Sequence, residues 1–446
     1  MIGKTEKIPQ LNLFEVPLKT FINLQHELVL LSQKIQWDEV HNDFSQYYSE
    51  IGRPSVPVRK LVGLMLLKQI YNESDESVVD RWIENPYWQY FCGEVNFQKR
   101  PPFDPSEFVH FRKRIGEEGA EKLLKLSVKL YGNEVDVKEV LIDTTVQEKN
   151  ITFPTDTKLH RKIIDQCVKI AHTEKIKIRQ SYKQTIKELM LLVRFRSHPK
   201  RKKEAKAASR KIKTIAGRLV RELERKLTED QSSFYANKIT IFNKILLQTK
   251  TSKNKIYSIH EPDVKCLAKG KEHKPYEFGN KSSIVKTKNG IIVGALAFKE
   301  NIYDGDTLPP QLDQTERITG ERPEIGITDR GYRGRKQIGS TQIIIPTPAK
   351  GQYQKTKQRK RFRDRAGIEP VIGHLKHDHR MIRNYLRGTL GDAINTMIAA
   401  AAFNIKKYLN RIKNSVKNFF FLFMEIYFSI LVLFFGSKYK FLILEK

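Results

Sequence analysis

The stretch VDVKEVLIDTTVQEKN, residues 135–150, contains a short apolar run that leads directly into an aspartate. The run Val140–Ile142 has the length and composition of a buried strand, and Asp143 follows it. Similar apolar runs return later in the chain, at residues 291–298, 325–328 and 343–345. Because helical segments separate these runs, the sequence predicts an α/β fold with a mixed central sheet.

Upstream of this stretch, the sequence predicts an all-α N-terminal domain at residues 1–135. Apolar residues recur there every three or four positions, as at Val58, Leu61, Val62, Met65 and Leu66. Short helices joined by polar turns are typical of a helix-turn-helix DNA reader, and equally of a plain helical bundle. On the DNA-binding hypothesis, Arg112 and Arg114 of a later helix would contact DNA.

A long and highly charged helical insertion is predicted at about residues 158–250. Between Arg196 and Lys226 the chain has 13 lysines and arginines against 3 acidic residues. This pattern fits a solvated helical hairpin, and it also fits an arm that lies along DNA phosphates. The charge imbalance favours the arm, in which Lys202 and Arg210 would contact DNA. The insertion would interrupt an α/β domain at residues 136–412.

The composition indicates a folded protein with a polyanionic partner. The chain has 446 residues, of which 39% are hydrophobic, as in folded proteins and unlike disordered ones. Lys and Arg number 81 against 50 Asp and Glu, and a net charge of +31 attracts nucleic acid. The three cysteines are too few and too widely spaced for a disulfide framework, and the N-terminus lacks a signal-peptide pattern. We therefore expect a cytoplasmic protein.

The last part of the chain, residues 413–446, is predicted to be an apolar tail. Residues 419–435 are almost wholly apolar and are interrupted by Glu425 and Ser429. This run is at the lower limit of length for crossing a bilayer, and a glutamate in its middle is costly there. We therefore do not expect a membrane anchor. A docking helix and an accidental extension of the reading frame are the alternatives.

Three carboxylates stand at positions from which they can meet in the fold. Asp143 and Asp329 each follow a predicted strand, and Glu369 precedes Pro370 at the predicted start of a helix. Phosphodiester hydrolysis and transfer need oxygen ligands that hold two divalent ions. Carboxylates at the ends of neighbouring strands can supply them. Each of the three positions also has an ordinary structural explanation. The hypothesis of a metal site therefore depends on the three carboxylates occurring together.

Basic residues surround Glu369 at helical spacing. Arg365 precedes it by four residues and Lys376 follows it by seven, which places Glu369 and Lys376 on one helix face. A carboxylate that binds metal beside basic side chains that bind phosphate can hold a DNA strand. We therefore predict that Arg365 and Lys376 contact DNA phosphates.

These motifs resemble those of the DDE transposases of bacterial insertion sequences. The spacing of Arg365, Glu369 and Lys376 is similar to the Tyr-Arg-Glu-Lys signature, with Phe362 where the tyrosine usually stands. Further blocks resemble the insertion sequence 5 family, which is related to the insertion sequence 4 group. They lie at residues 55–60, 82–88, 141–145, 153–159 and 329–332. The resemblance covers about residues 40–412.

The resemblance implies an RNase H-like sheet on which Asp143, Asp329 and Glu369 hold two Mg²⁺ or Mn²⁺ ions. It implies a double-stranded DNA substrate, namely the terminal inverted repeats of the element and a target. A homodimer or larger assembly would act on this DNA in the bacterial nucleoid. The alternatives are a catalytically inactive or domesticated DNA-binding protein, and a plain nuclease that cuts without joining.

Two other polar groups receive a structural interpretation. His374, His377 and His379 lie close in sequence, but a solvated or phosphate-facing set is favoured over a zinc site. Asp304 and Asp306 flank a glycine and could be metal ligands, but Asp-Gly usually marks a turn, which is the favoured interpretation.

Overall fold

The structure is a computed structural model, and it describes residues 1–3, 16–249, 251–268, 275–345, 360–361 and 363–435. In the last helix, side chains are described continuously to residue 416. Phe362, which stands in the tyrosine position of the signature, lies outside the described residues.

The N-terminal part is helical. Helices α1 to α6 span Glu27–Lys34, Trp37–Ser45, Val58–Ile70, Asp75–Glu84, Pro86–Phe91 and Glu107–Lys129. Helix α4 begins with a capping box in which Ser74 and Ser77 exchange hydrogen bonds. From Leu61 to Ile70, every residue of α3 is buried. A helix that is buried on every side belongs to the interior of a larger unit.

A buried ion-pair network holds three of these helices together. Asp75 at the start of α4 accepts hydrogen bonds from both terminal nitrogens of Arg112 on α6, at 2.9 and 2.7 Å. The ammonium of Lys68 on α3 lies 2.6 Å from the same carboxylate. Burial opposes ionisation of Asp75, but its hydrogen bond to Arg112 and the charges of Lys68 and Arg112 outweigh burial and lower its pKa to about 2.

The described part of the chain forms a seven-stranded mixed sheet. Strands β1 to β7 span Glu139–Glu148, Lys265–Ala268, Tyr276–Thr287, Ile292–Phe298, Ile325–Ile327, Gln337–Ile338 and Thr341–Ile344. The strand order is β2-β3-β1-β5-β7-β6, and β4 also pairs with β3. Strand β3 is antiparallel to β1 and β4, whereas β5 is parallel to both β1 and β7. The predicted mixed α/β fold is confirmed.

Between β1 and β2 the chain forms a helical unit with its own core. Helices α7 to α10 span Asp156–Thr173, Lys183–Val193, Lys202–Lys226 and Glu229–Leu247. Their buried side chains form a cluster distinct from the core of the sheet. The two ends of the unit meet, because Gln248 Nε2 donates to Asp156 Oδ1 at 3.3 Å.

Three further helices follow in the described part of the chain. Helices α11, α12 and α13 span Leu308–Thr319, Ile368–His377 and Gly388–Phe435. Helix α13 packs against α3, α6 and β4, so the core of the N-terminal helices continues into that of the sheet. Within the described residues, none of the helices combines the length and the apolar character needed to cross a bilayer.

A buried polar network fixes the start of α13 to the end of β1. The ammonium of Lys149 lies 2.8 Å from Asp392 on α13 and 3.3 Å from Glu261. It also donates to the carbonyl oxygens of Leu386 and Gly388, at 2.9 and 3.0 Å. Burial raises the pKa of Asp392 to about 6, against the lowering effect of Lys149.

Candidate active site

Asp143 and Asp329 are carried by neighbouring parallel strands. In the register of β1 and β5, Leu141 pairs with Ile327, and each aspartate lies two residues further along its strand direction. Adjacent strands are about 4.8 Å apart, so the two carboxylates start from neighbouring backbone positions. The amide of Thr144 donates to Asp143 Oδ1 at 2.8 Å.

Asp329 is oriented by the turn that follows β5. Its Oδ1 accepts a hydrogen bond from the amide of Gly331 at 2.8 Å and so caps a short 3₁₀ turn, Arg330–Tyr332. The turn takes the chain off the sheet immediately after the carboxylate. The position of Asp329 at the carboxyl end of β5 is typical of functional residues in α/β sheets.

Glu369 reaches the site from a helix. It lies in the first turn of α12, as its position before Pro370 predicted, and its side chain is largely exposed. The Arg365 guanidinium lies 3.6 Å from Glu369 Oε1 and 3.9 Å from Asp329 Oδ2. One side chain therefore contacts both the second and the third predicted catalytic carboxylate.

Tyr332 forms the buried floor beside the aspartates. It is fully buried, and its hydroxyl has no hydrogen-bond partner of ordinary geometry among the described residues. Burial first, and then the charges of Asp143, Asp304 and Asp329, hold the pKa of this hydroxyl well above its ordinary value, against a lowering effect of its interaction with Thr307. The hydroxyl of Tyr332 therefore lies within the electrostatic influence of three carboxylates.

Asp304, for which the sequence favoured a turn over a ligand role, lies beside these residues. Its Oδ1 accepts hydrogen bonds from the Thr144 hydroxyl at 2.9 Å and from the Lys281 ammonium at 2.8 Å. The Asp-Gly pair does mark a turn, the 3₁₀ segment Asp304–Thr307. In the sequence, Asp304 follows a strand of the same sheet by a few residues, which is the pattern that pointed to Asp143 and Asp329. The turn interpretation was preferred over this pattern.

The donor set suits a hard divalent cation, which prefers carboxylate oxygens. In the part of the chain that the structure describes, no three His, Cys, Asp or Glu side chains converge closely enough to hold a metal ion as they stand. The positively charged group that lies between Asp329 and Glu369 is the Arg365 guanidinium.

Comparison with known proteins decides the family. The family model described as "Transposase domain (DUF772)" matches residues 16–114, and "Transposase DDE domain" matches residues 249–405. A relative from Rhizobium meliloti, "Uncharacterized protein ORF8 in nfe locus", is 40% identical over 192 residues, which are 42% of this chain and 93% of the relative. The chain belongs to the DDE transposases of insertion sequences. No solved structure matches it.

The predicted DNA contacts of this transposase fall into different environments. Arg112 is only 8% exposed and is committed to the ion pair with Asp75, which argues against a contact between Arg112 and DNA. The guanidinium of Arg114 lies over the ring of Tyr48, 4.6 Å from its centroid. Arg112 therefore has a structural role, whereas Arg114 packs on an aromatic ring and remains partly exposed.

The other predicted contacts lie nearer the surface. Lys202 and Arg210 are exposed on α9, whose buried side chains form a separate apolar face. Lys376 lies on α12 and is half-buried, and Arg365 bridges two carboxylates. The transposase thus retains these four residues as candidates for phosphate contacts.

The histidines after Glu369 are separated by their contacts. His374 Nδ1 lies 2.7 Å from Asp378 Oδ2 on the exposed side of α12. His379 is buried against the carbonyl oxygen of Gln69 at 3.1 Å, and burial lowers its pKa. His374 is exposed as predicted, but His379 is buried, so the three histidines do not form one solvated set.

Proposed function

We propose that this transposase binds the terminal inverted repeats of its element and carries out metal-dependent strand cleavage and strand transfer. The observation that carries the proposal is the placement of Asp143 and Asp329 at neighbouring strand positions, with Arg365 linking Asp329 to Glu369. Family membership supports DNA as the substrate.

In this proposal, Asp143, Asp329 and Glu369 hold two Mg²⁺ or Mn²⁺ ions. When bound, such ions activate water or a 3′-hydroxyl and stabilise the leaving oxygen. The backbone turn at Gly331 orients Asp329, and α12 brings Glu369 to the same edge. Arg365, which lies between Asp329 and Glu369, and Lys376, which lies on α12 with Glu369, would bind the phosphates of the strand being cut.

The proposal places this chemistry on an RNase H-like sheet. The antiparallel set β4-β3-β1, extended by the parallel strands β5 and β7, supports that fold. We propose domain limits near residues 135 and 412, with the basic insertion at about 158–250 and an apolar tail at 413–446. The continuous core between the N-terminal helices and α13 means that the first limit is a boundary in chain order only.

DNA binding is proposed to extend along the insertion. Helix α9 buries one apolar stripe, which leaves its lysines and arginines, including Lys202 and Arg210, exposed. Exposed cations in a row neutralise successive phosphates and release counterions. Processing of two element ends calls for at least two protomers, and we propose a homodimer or larger assembly on DNA in the bacterial nucleoid.

The direct test is end cleavage by the purified full chain on DNA that carries the inverted repeats of its element. The Asp329→Ala variant is expected to lose both cleavage and joined product while it still binds DNA. Asp313→Ala, an exposed aspartate on α11 that pairs with Arg322, is the matched control and is expected to remain active. Cleavage by Asp329→Ala at the wild-type rate would remove this residue from the chemistry.

A further inference from the structure

Asp304 approaches the candidate active site from outside the strands that carry Asp143 and Asp329. It starts a 3₁₀ turn between β4 and α11. One of its oxygens, Oδ1, is held by the Thr144 hydroxyl and by the Lys281 ammonium. Lys281 also donates to the carbonyl oxygen of Ile302 at 2.6 Å, so it fixes the segment that leads to Asp304. The carboxylate of Asp304 therefore has a defined orientation.

The second oxygen of Asp304 lies beside Gly331, which is also next to Asp329. A methyl group at Gly331 would lie 3.0 Å from Asp304 Oδ2 and 2.9 Å from Asp329 Oδ1. Both carboxylates thus approach the same point beside this glycine. Gly331 does not have a positive φ, so the close approach, and not the backbone conformation, is what a side chain there would disturb.

The buried hydroxyl of Tyr332 gives an independent indication of a ligand. It lacks a hydrogen bond of ordinary geometry among the described residues, although Thr307 interacts with it, and the charges of Asp143, Asp304 and Asp329 all act on it. A buried hydroxyl without a well-formed hydrogen bond is costly, and neighbouring carboxylates repel each other. Lys281 pairs with Asp304, and the Arg365 guanidinium lies 3.9 Å from Asp329 Oδ2. A bound cation would offset the repulsion between Asp304 and Asp329 directly.

We propose that Asp304 is a fourth metal-binding carboxylate of the site and that its Oδ2 binds the divalent cation together with Asp143 and Asp329. This inference rests on the proposed function. Thr144 and Lys281 are positioning residues, because they hold Oδ1 and leave Oδ2 beside Gly331. The hard carboxylate oxygens of the three aspartates suit Mg²⁺ or Mn²⁺.

The test is a titration of the full chain with Mn²⁺ in the absence of DNA. Binding is measured as the decrease of the electron paramagnetic resonance signal of free Mn²⁺. Asp304→Asn is expected to weaken Mn²⁺ binding by at least about tenfold, since loss of even an outer-shell partner has effects of that order. The matched control is Asp306→Asn, two residues away in the same turn, where the exposed carboxylate pairs with Arg335. The control is expected to bind Mn²⁺ like the wild type, and equal binding by Asp304→Asn would overturn the proposal.

Two further variants separate metal binding from a structural role. If Asp304 serves only to neutralise Lys281, then Lys281→Met should restore Mn²⁺ binding to the Asp304→Asn variant. We expect no restoration, and its occurrence would overturn the proposal. If Asp304→Asn does not fold, Gly331→Ala is measured in its place, because the added methyl group would crowd Asp304 and Asp329. Unchanged Mn²⁺ affinity of Gly331→Ala would also overturn the proposal.

Asp329→Asn distinguishes failure of this inference from failure of the proposed function. Weaker binding in Asp329→Asn with unchanged binding in Asp304→Asn would overturn the fourth carboxylate and leave the proposed function intact. Unchanged binding in both variants would contradict the metal site as a whole. Weaker binding in both, with the Asp306→Asn control unaffected, is the result that the geometry predicts.

Discussion

Replacement of Arg112 by methionine is expected to destabilise the N-terminal helices and not to remove a DNA contact directly. Arg112 makes two hydrogen bonds to Asp75 and is nearly inaccessible to solvent. Methionine keeps much of the length and the apolar stem of the side chain and removes its charge. Asp75 would retain only Lys68, at 2.6 Å, as a charged partner.

The size of the effect follows from the pKa of Asp75. Its lowering from 3.8 to about 2 corresponds to about 2 kcal/mol at neutral pH, since one pKa unit is worth about 1.4 kcal/mol. Breaking a buried ion pair costs about 3–5 kcal/mol. Because Lys68 remains, we expect a loss near the lower end, about 3 kcal/mol of the free energy of unfolding.

The measurement is denaturant unfolding of wild type and Arg112→Met between pH 2 and pH 7. A carboxyl group with a lowered folded pKa contributes stability that is present above its unfolded pKa and is lost as the pH falls through its folded pKa. The difference between the two proteins should therefore be constant above about pH 5 and shrink as the pH falls toward about 2. Equal stability of the two proteins, with DNA affinity reduced in the variant, would refute this reasoning and restore Arg112 as a DNA contact.

Two other perturbations test the polar network and the basic insertion. Lys149→Met should lower the free energy of unfolding by about 3 kcal/mol, because Asp392 loses its buried counter-charge. The pKa of Asp392 is raised to about 6, so in the folded protein Asp392 is ionised mainly above that pH. The loss of unfolding free energy in Lys149→Met should therefore be larger at pH 8 than at pH 5. The double variant Lys202→Glu with Arg210→Glu should weaken DNA binding and reduce the slope of log affinity against log salt by about 2, since each cation contributes nearly one counterion.

Each of these two experiments has its own control. For the network, a stability loss that is the same at pH 5 and pH 8 would contradict the assigned role of the Asp392 charge. For the insertion, Lys253→Glu reverses the charge of an exposed lysine outside α9 and should leave the salt slope nearly unchanged. An unchanged slope in the double variant would indicate that α9 is a solvated helix, the alternative reading of its charge pattern.

The elements that the sequence predicted well are those with local signals. The apolar runs before Asp143 and Asp329 form β1 and β5, because short β-branched runs are buried in a sheet whatever their partners are. Glu369 lies in the first turn of α12, because the proline after it is tolerated at the start of a helix and not in its interior. Parallel pairing of β1 with β5, in contrast, is a long-range property that no local pattern contains.

Arg112 and Asp304 show what local patterns miss. An arginine on an amphipathic helix has the same signal whether it points to DNA or to a buried aspartate, and Asp75 is 37 positions away from Arg112. Asp304 has a correct local interpretation as a turn residue, yet its contact with Thr144 spans 160 positions. Both cases concern charged side chains whose contacts are distant in sequence.

The meeting of Asp156 and Gln248 at the base of the helical insertion has a consequence for how such elements diversify. The first and last residues of the insertion are neighbours, and the insertion has its own hydrophobic core. Such a segment can be exchanged or lost without displacing the strands on either side of it. Related elements can thus change the part proposed to hold DNA by replacing one module, while Asp143 and the strands around it stay under separate selection.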